Sequence, residues 1–472
     1  MDVHVTLGAR GDLAAQIYRQ VLDAILDGRL HAGQRLPATR ELARRLSVSR
    51  NTAAVAYERL TAEGFLSARV GAGTFVSDAP VTRARTREAP GGGVRPRAVW
   101  RSLPDLPKAA SATYDFRAGM PDGELFPLET WRRLIAREYR RAVILPAAYG
   151  DPAGHAGLRT AIARHVGVSR SVRAGADDVI VTHGAQQALD LVGRVLIEPG
   201  CRVAVEEPGY PPARLLFHSL GARVTGVPVD SEGIDVTALP RDARLVYVTP
   251  SHQYPLGTPM SLRRRTALLA WAERNDAVVI EDDYDSEFRF QDRPLEPLQS
   301  LDRLGRVVYV GSFSKALLPM LRLGFLVAPA SLRTALRTAK RLTDWHGELP
   351  PQAALAHFID DGLLARHIRR ATREYGARRR LIIETLRRDF ADLLTPVPSA
   401  AGLHVCARLT HGTPADADRA AERARASGVA VESLTAHYAH GPGEPGLLLG
   451  YGAIPLGQIS AGLRLLATSL RE

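Results

Sequence analysis

Lysine occurs three times in this 472-residue chain, at Lys108, Lys315 and Lys340, although lysine and arginine together number 62. Lys315 ends the run Val308-Tyr309-Val310-Gly311-Ser312-Phe313-Ser314-Lys315, an apolar strand pattern that breaks into a turn of small and hydroxyl residues. A primary amine there can do what a guanidinium cannot: it condenses with an aldehyde to a Schiff base, and desolvation lowers its pKa towards the nucleophilic form. Taken alone, the segment fits an exposed lysine at a helix start equally well.

Other segments supply complementary chemistry. After Val179-Ile180-Val181-Thr182, the chain turns through His183-Gly184-Ala185-Gln186 into a helix, and free backbone amides at a positive helix end make a phosphate seat. Glu207-Pro208-Gly209-Tyr210 presents an aromatic ring able to lie on a flat ligand. Glu281-Asp282-Asp283-Tyr284-Asp285 puts carboxylates where an apolar run ends, and one of them can pair with a protonated ring nitrogen. Such acids can also hold Mg²⁺, but no phosphate-transfer motif accompanies them and no metal is expected. Ser312 and Ser314 add hydroxyls, and Arg322 can make a bidentate phosphate contact. Each feature has a bland reading as ordinary loop packing or a solvated acid run. Phosphate seat, stacking aromatic, ring-nitrogen acid and amine, in this order, together describe a site for pyridoxal 5′-phosphate.

The elements that must position these groups are short β-branched runs at 179–182, 202–205, 245–248, 277–280 and 307–310, alternating with helical periods such as 186–196 and 262–275. That alternation predicts an α/β domain from about Tyr114 onward, with a largely parallel sheet and its ligands at the strands' carboxyl ends. Residues 341–472 form its smaller α+β region.

The first 78 residues read differently. Leu13, Ile17, Val21 and Ile25 give an amphipathic helix that Gly28 ends. Thr39 can cap a second helix through Leu46, and Ser49 a third whose packing edge is Val55, Leu60 and Phe65. Residues 65–76 then suggest a hairpin around a glycine turn. Two helices joined by a tight turn, the second opening with Arg50, Asn51 and Thr52, give a helix-turn-helix pattern that can reach base edges and phosphates. A helical protein-interaction module is the alternative.

Between these parts, 79–113 carries five prolines and seven Lys/Arg against two acids, and it reads as a flexible basic linker. The net charge of +12 suits a polyanion partner, nucleic acid first. No apolar run approaches the roughly 20 residues of a membrane span, so no membrane partner and a cytoplasmic location are expected. Two cysteines, Cys201 and Cys406, suggest neither a disulfide framework nor a zinc site.

Leu36-Pro37-Ala38-Thr39-Arg40-Glu41-Leu42-Ala43, Val48 to Thr52 and the Gly71 to Val76 glycine hairpin resemble the GntR-type winged helix-turn-helix. The resemblance implies double-stranded promoter DNA as partner, with Arg40, Ser49, Arg50, Asn51, Thr52 and Gly73 as contacts. Residues 114–472 resemble the fold-type I aminotransferases. That implies a Schiff base of pyridoxal 5′-phosphate on Lys315, Asp282 at the pyridine nitrogen, Tyr210 stacked on the ring and Tyr284 at the 3-oxygen. It further implies Gly184, Ala185, Gln186, Ser312, Ser314 and Arg322 around the phosphate, with His252 and Tyr254 bordering the ring. The combination, with strings such as Thr249-Pro250-Ser251-His252-Gln253, is similar to the MocR/GabR group of bacterial regulators. This implies a transcription factor sensing a small molecule, either pyridoxal phosphate itself or an amino acid, and a domain-swapped homodimer.

The chain departs from the enzymes at Leu447-Leu448-Leu449-Gly450-Tyr451-Gly452, where they usually carry an arginine for the substrate carboxylate. Arg214, close to Tyr210 in sequence, and Arg408 are the substitutes on offer. Weak turnover is therefore expected, and the alternative is a working aminotransferase with an accessory DNA-binding domain.

Overall fold

In the computed structural model, residues 5–8, 11–69, 71–78, 93–104, 112–140, 148–290 and 296–471 are described. The linker residues 79–92 and 105–111, with Lys108, lie outside them. The chain divides into two units, Met1–Arg95 and Pro96–Glu472.

In the first unit the Asp12 carboxylate caps the helix Leu13–Leu26 by accepting from Ala15 N–H at 3.2 Å. Ile17, Val21 and Ile25 are buried as the period requires, joined by Tyr18 and Ala24. The second helix, Thr39–Arg45, corrects the expected cap: Thr39 is its first residue, the extended Ala38 stands in the cap position, and no side chain bonds there. Ser49 does cap the third helix, Arg50–Ala62, its Oγ accepting from Thr52 N–H at 3.0 Å. The packing edge of that helix is Ala53, Ala56, Tyr57 and Leu60, whereas Val55 is exposed and Phe65 only partly buried. Small residues let this helix approach Leu13–Leu26 closely, so the larger Val55 turns outward. Leu66–Arg69 and Gly73–Val76 pair antiparallel, Leu66 opposite Val76, as a wing.

The second unit is built on an eight-stranded sheet. Its order is Val179–Thr182, Gly324–Val327, Val307–Ser312, Val278–Asp283, Ala243–Val248, Arg202–Glu207, Arg223–Asp230 and Gly233–Ile234. Pairing is parallel through the centre, while Gly324–Val327 runs antiparallel to both neighbours and Gly233–Ile234 closes the far edge as a hairpin. Side chains alternate between faces. Val278 and Ile280 join the helices Ala185–Leu196 and Pro211–Ser219 in one core, while Val279 packs with Trp271 and Leu268 of the helix Leu262–Arg274 in another.

The smaller region has a four-stranded antiparallel sheet, ordered Leu394–Pro396, His404–Leu409, Gly446–Gly450 and Glu432–Ser433. Helices Leu363–Asp389, Pro414–Ala426 and Leu456–Arg471 cover it. Within the stretch read as an unstructured linker, Ala98–Ser102 is helical, and Arg97 donates to Ser219 O at 3.1 Å. Among the described residues no helix is long and apolar enough to cross a membrane.

Candidate cofactor site and nucleic-acid interface

A cavity of about 300 Å³ opens at the carboxyl ends of the central strands, lined by Lys315, Asp282, Tyr210, Tyr254, Tyr284 and Arg322 among others. Ala185, Gln186, Ser312 and Ser314 complete most of the predicted set in its wall. A larger hollow of about 760 Å³ beside Trp271 and Arg274 contains none of these groups.

The strand Val278–Asp283 explains which acid faces the cavity. Glu281 and Asp283 point to the opposite face, where Asp283 accepts from Arg170 at 2.8 Å and Tyr309 at 2.6 Å, and Glu281 lies 3.7 Å from Arg265. Asp282 turns the other way, so the three acids do not converge on one ion. Its Oδ2 accepts from Tyr247 at 2.8 Å, and its buried Oδ1 has no partner among the described residues. Burial, opposed by the Tyr247 bond, pushes this carboxyl up to about 7.

Lys315 is the cavity's amine. Its Nζ donates to Gly119 O at 2.6 Å, and burial lowers its pKa while Asp285 and Asp282 oppose that. Gly119 has φ +71, and a Cβ there would sit 2.9 Å from Nζ, so glycine keeps the lysine's place open. Gly184, at φ +78, precedes the helix Ala185–Leu196, and a Cβ would meet the Arg322 guanidinium at 3.1 Å. Arg322 donates to His183 O, and Ser312 Oγ donates to Ser314 Oγ at 2.9 Å. Amides, hydroxyl and guanidinium thus surround a space suited to a dianion.

Tyr210 meets Tyr254 edge-on at 5.5 Å, and Tyr254 meets Tyr284 at 5.8 Å. His252 is not part of the wall. It stands behind Tyr284, with Nδ1 2.9 Å from the Tyr284 hydroxyl and 3.0 Å from Asp285, and Nε2 3.1 Å from Ser399 Oγ. His252, Asp285 and His404 bring ligand atoms within 4.8 Å of one another, but these hydrogen bonds, and His404 Nε2 to Pro255 O at 2.9 Å, already commit them.

Sequence reasoning missed Tyr247, Thr249, Ala118, Gly119 and Pro319 in the wall. Tyr247 was findable, being a hydroxyl inside a buried apolar strand next to the acid strand. Neither substitute for a carboxylate clamp lines the cavity. Arg408 is exposed and pairs with Glu444 at 2.6 Å, and Arg214 borders a small neighbouring space with His437. At Gly450 and Gly452 a Cβ would lie 2.0 and 1.9 Å from the Arg117 and Met120 carbonyl oxygens, so neither position admits any side chain.

On the first unit, Arg40, Ser49, Arg50, Asn51 and Gly73 are exposed and Thr52 is half-buried. Ser49 Oγ is 2.7 Å from Thr52 Oγ1 in the cap. Arg35, which the sequence did not single out, lies against Gly73, where a Cβ would be 3.0 Å from its Nε.

Residues 13–76 match the bacterial regulatory proteins of the gntR family, and 122–443 match aminotransferase class I and II. The chain is 38% identical to the probable rhizopine catabolism regulatory protein MocR of Rhizobium meliloti, over 93% of this chain and 90% of that one. It is 33% identical to the pyridoxine biosynthesis transcriptional regulator PdxR of Corynebacterium glutamicum, over 93% and 92%. Among solved structures, the kynurenine aminotransferase of Pyrococcus horikoshii superposes with a TM-score of 0.70 at 29% identity, covering 77% of this chain and 91% of that one. The α-aminoadipate aminotransferase LysN of Thermus thermophilus does so with 0.69 at 32%, covering 76% and 92%.

Proposed function

The chain belongs to the MocR-type transcriptional regulators, which join a gntR-family DNA-binding unit to a pyridoxal-phosphate-binding aminotransferase-like unit, and on that premise we propose that the cavity at Lys315 senses the effector. One observation carries the reading. The cavity holds both a desolvated amine and a buried carboxylate oxygen, Asp282 Oδ1, still in need of a donor.

When bound, pyridoxal phosphate supplies an aldehyde for a primary amine and a ring that withdraws electrons. Lys315 is the amine, kept towards its free-base form by burial and aimed by Gly119 O. Asp282 accepts the ring N–H on Oδ1 while Tyr247 holds Oδ2. Tyr210 would stack on the ring, and Tyr284, steadied by His252, would donate to its 3-oxygen. Gly184, Ala185, Gln186, Ser312, Ser314 and Arg322 hold the phosphate.

The effector is pyridoxal phosphate itself or an amino acid that condenses with it. The late strand reads Leu447-Leu448-Leu449 where the enzymes carry an arginine, and neither Arg214 nor Arg408 lines the cavity, which favours the cofactor itself. PdxR, by its name, regulates pyridoxine biosynthesis, in keeping with that choice. Arg40, Arg50, Asn51, Thr52 and Gly73 contact promoter DNA, with Ser49 serving the helix cap. The regulator acts in the cytoplasm as a homodimer with exchanged heads, and effector-dependent closure of the smaller region alters how the two heads read DNA.

The test is reduction with borohydride after incubation with pyridoxal phosphate, followed by mass spectrometry. The wild-type chain should carry one phosphopyridoxyl group and Lys315→Ala none. An undiminished adduct in the variant overturns the assignment. Rapid ketoacid-dependent turnover across an amino-acid panel would replace the sensing reading by the enzymatic one.

A further inference from the structure

Lys340 is the last of the three lysines, and it does not line the cavity. It is completely buried in the helix Ala330–Asp344, and its Nζ donates to Asp344 Oδ1 at 2.5 Å. A buried ammonium is expensive unless it is paired, so it belongs with a partner of some consequence. The other oxygen of Asp344 leads to the phosphate seat. Asp344 Oδ2 accepts from Gln187 Nε2 at 2.7 Å and lies 3.3 Å from His183 Nε2. Gln187 Oε1 in turn accepts from His183 N–H at 2.9 Å, and His183 O accepts from Arg322.

The chain of contacts therefore runs from Lys340 through Asp344 and Gln187 to the backbone of His183, and on to the Arg322 guanidinium. The direction of each bond matters. Gln187 accepts the N–H of the peptide before His183, Arg322 donates to the carbonyl of the peptide after it, and Gly184 follows into the helix Ala185–Leu196, so the turn is pinned on both sides. Without the lysine, the partly exposed Asp344 loses its cation and no longer has a fixed orientation from which to receive Gln187.

We propose that Lys340 and Asp344 are positioning residues that hold the His183–Gly184 turn and Arg322 in the geometry that binds the cofactor's phosphate, without touching the cofactor themselves. The inference rests on the reading of 183–186 and Arg322 as the phosphate seat, and it deepens that reading.

Its signature is selectivity for the phosphate. Full-length wild type, Lys340→Met, Asp344→Asn and Arg322→Ala are titrated in parallel with pyridoxal phosphate and with pyridoxal, which lacks the phosphate, following absorbance and tyrosine fluorescence. Lys340→Met and Asp344→Asn should each weaken pyridoxal phosphate by about tenfold or more, the loss expected for a charged hydrogen bond, while leaving pyridoxal affinity within about twofold. Asp344→Asn keeps the side-chain shape and decides the matter if Lys340→Met does not fold. Equal weakening of both ligands, or wild-type selectivity in both variants while Arg322→Ala loses it, overturns the proposal. Retained selectivity in Arg322→Ala as well would remove the phosphate seat itself and both readings with it.

Discussion

Glu287, Glu206 and Asp282 are buried carboxyls, each raised to about 7, chiefly by desolvation. Glu287 Oε2 and Glu206 Oε1 have no partner among the described residues. Because their folded pKa values lie above the ordinary carboxylate range, the folded chain retains protons that the unfolded chain gives up between about pH 4 and pH 7. Their contribution is complete at the acid end of that window and lost as pH rises through about 7. The cofactor-free protein should therefore lose thermal stability across it, and Glu287→Gln should reduce the loss, as measured by melting temperature against pH. At this scale much of the cavity was legible. Lys315 stood out by the rarity of its type, and Asp282 followed from a carboxylate at a strand end. The roles of Tyr247 and Lys340 did not, because Tyr247 acts on Asp282, 35 residues away, and Lys340, though paired with the nearby Asp344, reaches the turn only through the contact of Asp344 with the distant Gln187; no local period reports such contacts.

Arg50–Ala62, the helix that opens with the residues proposed to contact DNA, has one side-chain cap at its start, Ser49 Oγ to Thr52 N–H. Ser49→Ala should destabilise the first unit by about 1 kcal/mol, lowering its melting temperature by several degrees, while Arg50→Ala should leave stability unchanged and reduce the salt dependence of promoter binding. Equal effects of the two on stability would contradict this division of labour. Element types were readable wherever a run had a clear period, as in Val179–Thr182 or Leu13–Leu26. The strand Gly324–Val327 escaped notice because four apolar residues after a turn carry no period of their own. Val55 is exposed where the sequence predicts a packing edge, and the small Ala53 and Ala56 take the buried places instead.

The two units have separate apolar cores among the described residues, one confined to residues between Val5 and Val76 and the others beginning at Ala153 or at aromatic residues from Phe116 onward. Calorimetry should resolve two transitions. Pyridoxal phosphate in hundredfold excess over its Kd should raise only that of the larger unit, by about 3 °C. A shift of both, or one merged transition, would show that the cores do not melt independently. Gly324–Val327 matters at this scale too. Inserted between Val179–Thr182 and Val307–Ser312, it is the one strand, among the described residues, that pairs with Val179–Thr182, the strand leading to the proposed phosphate seat. During synthesis that edge waits unpaired until nearly 150 further residues have left the ribosome. A product truncated before residue 324 should consequently stay colourless with the vitamer, so that retention of the ligand certifies a chain made at least through that strand.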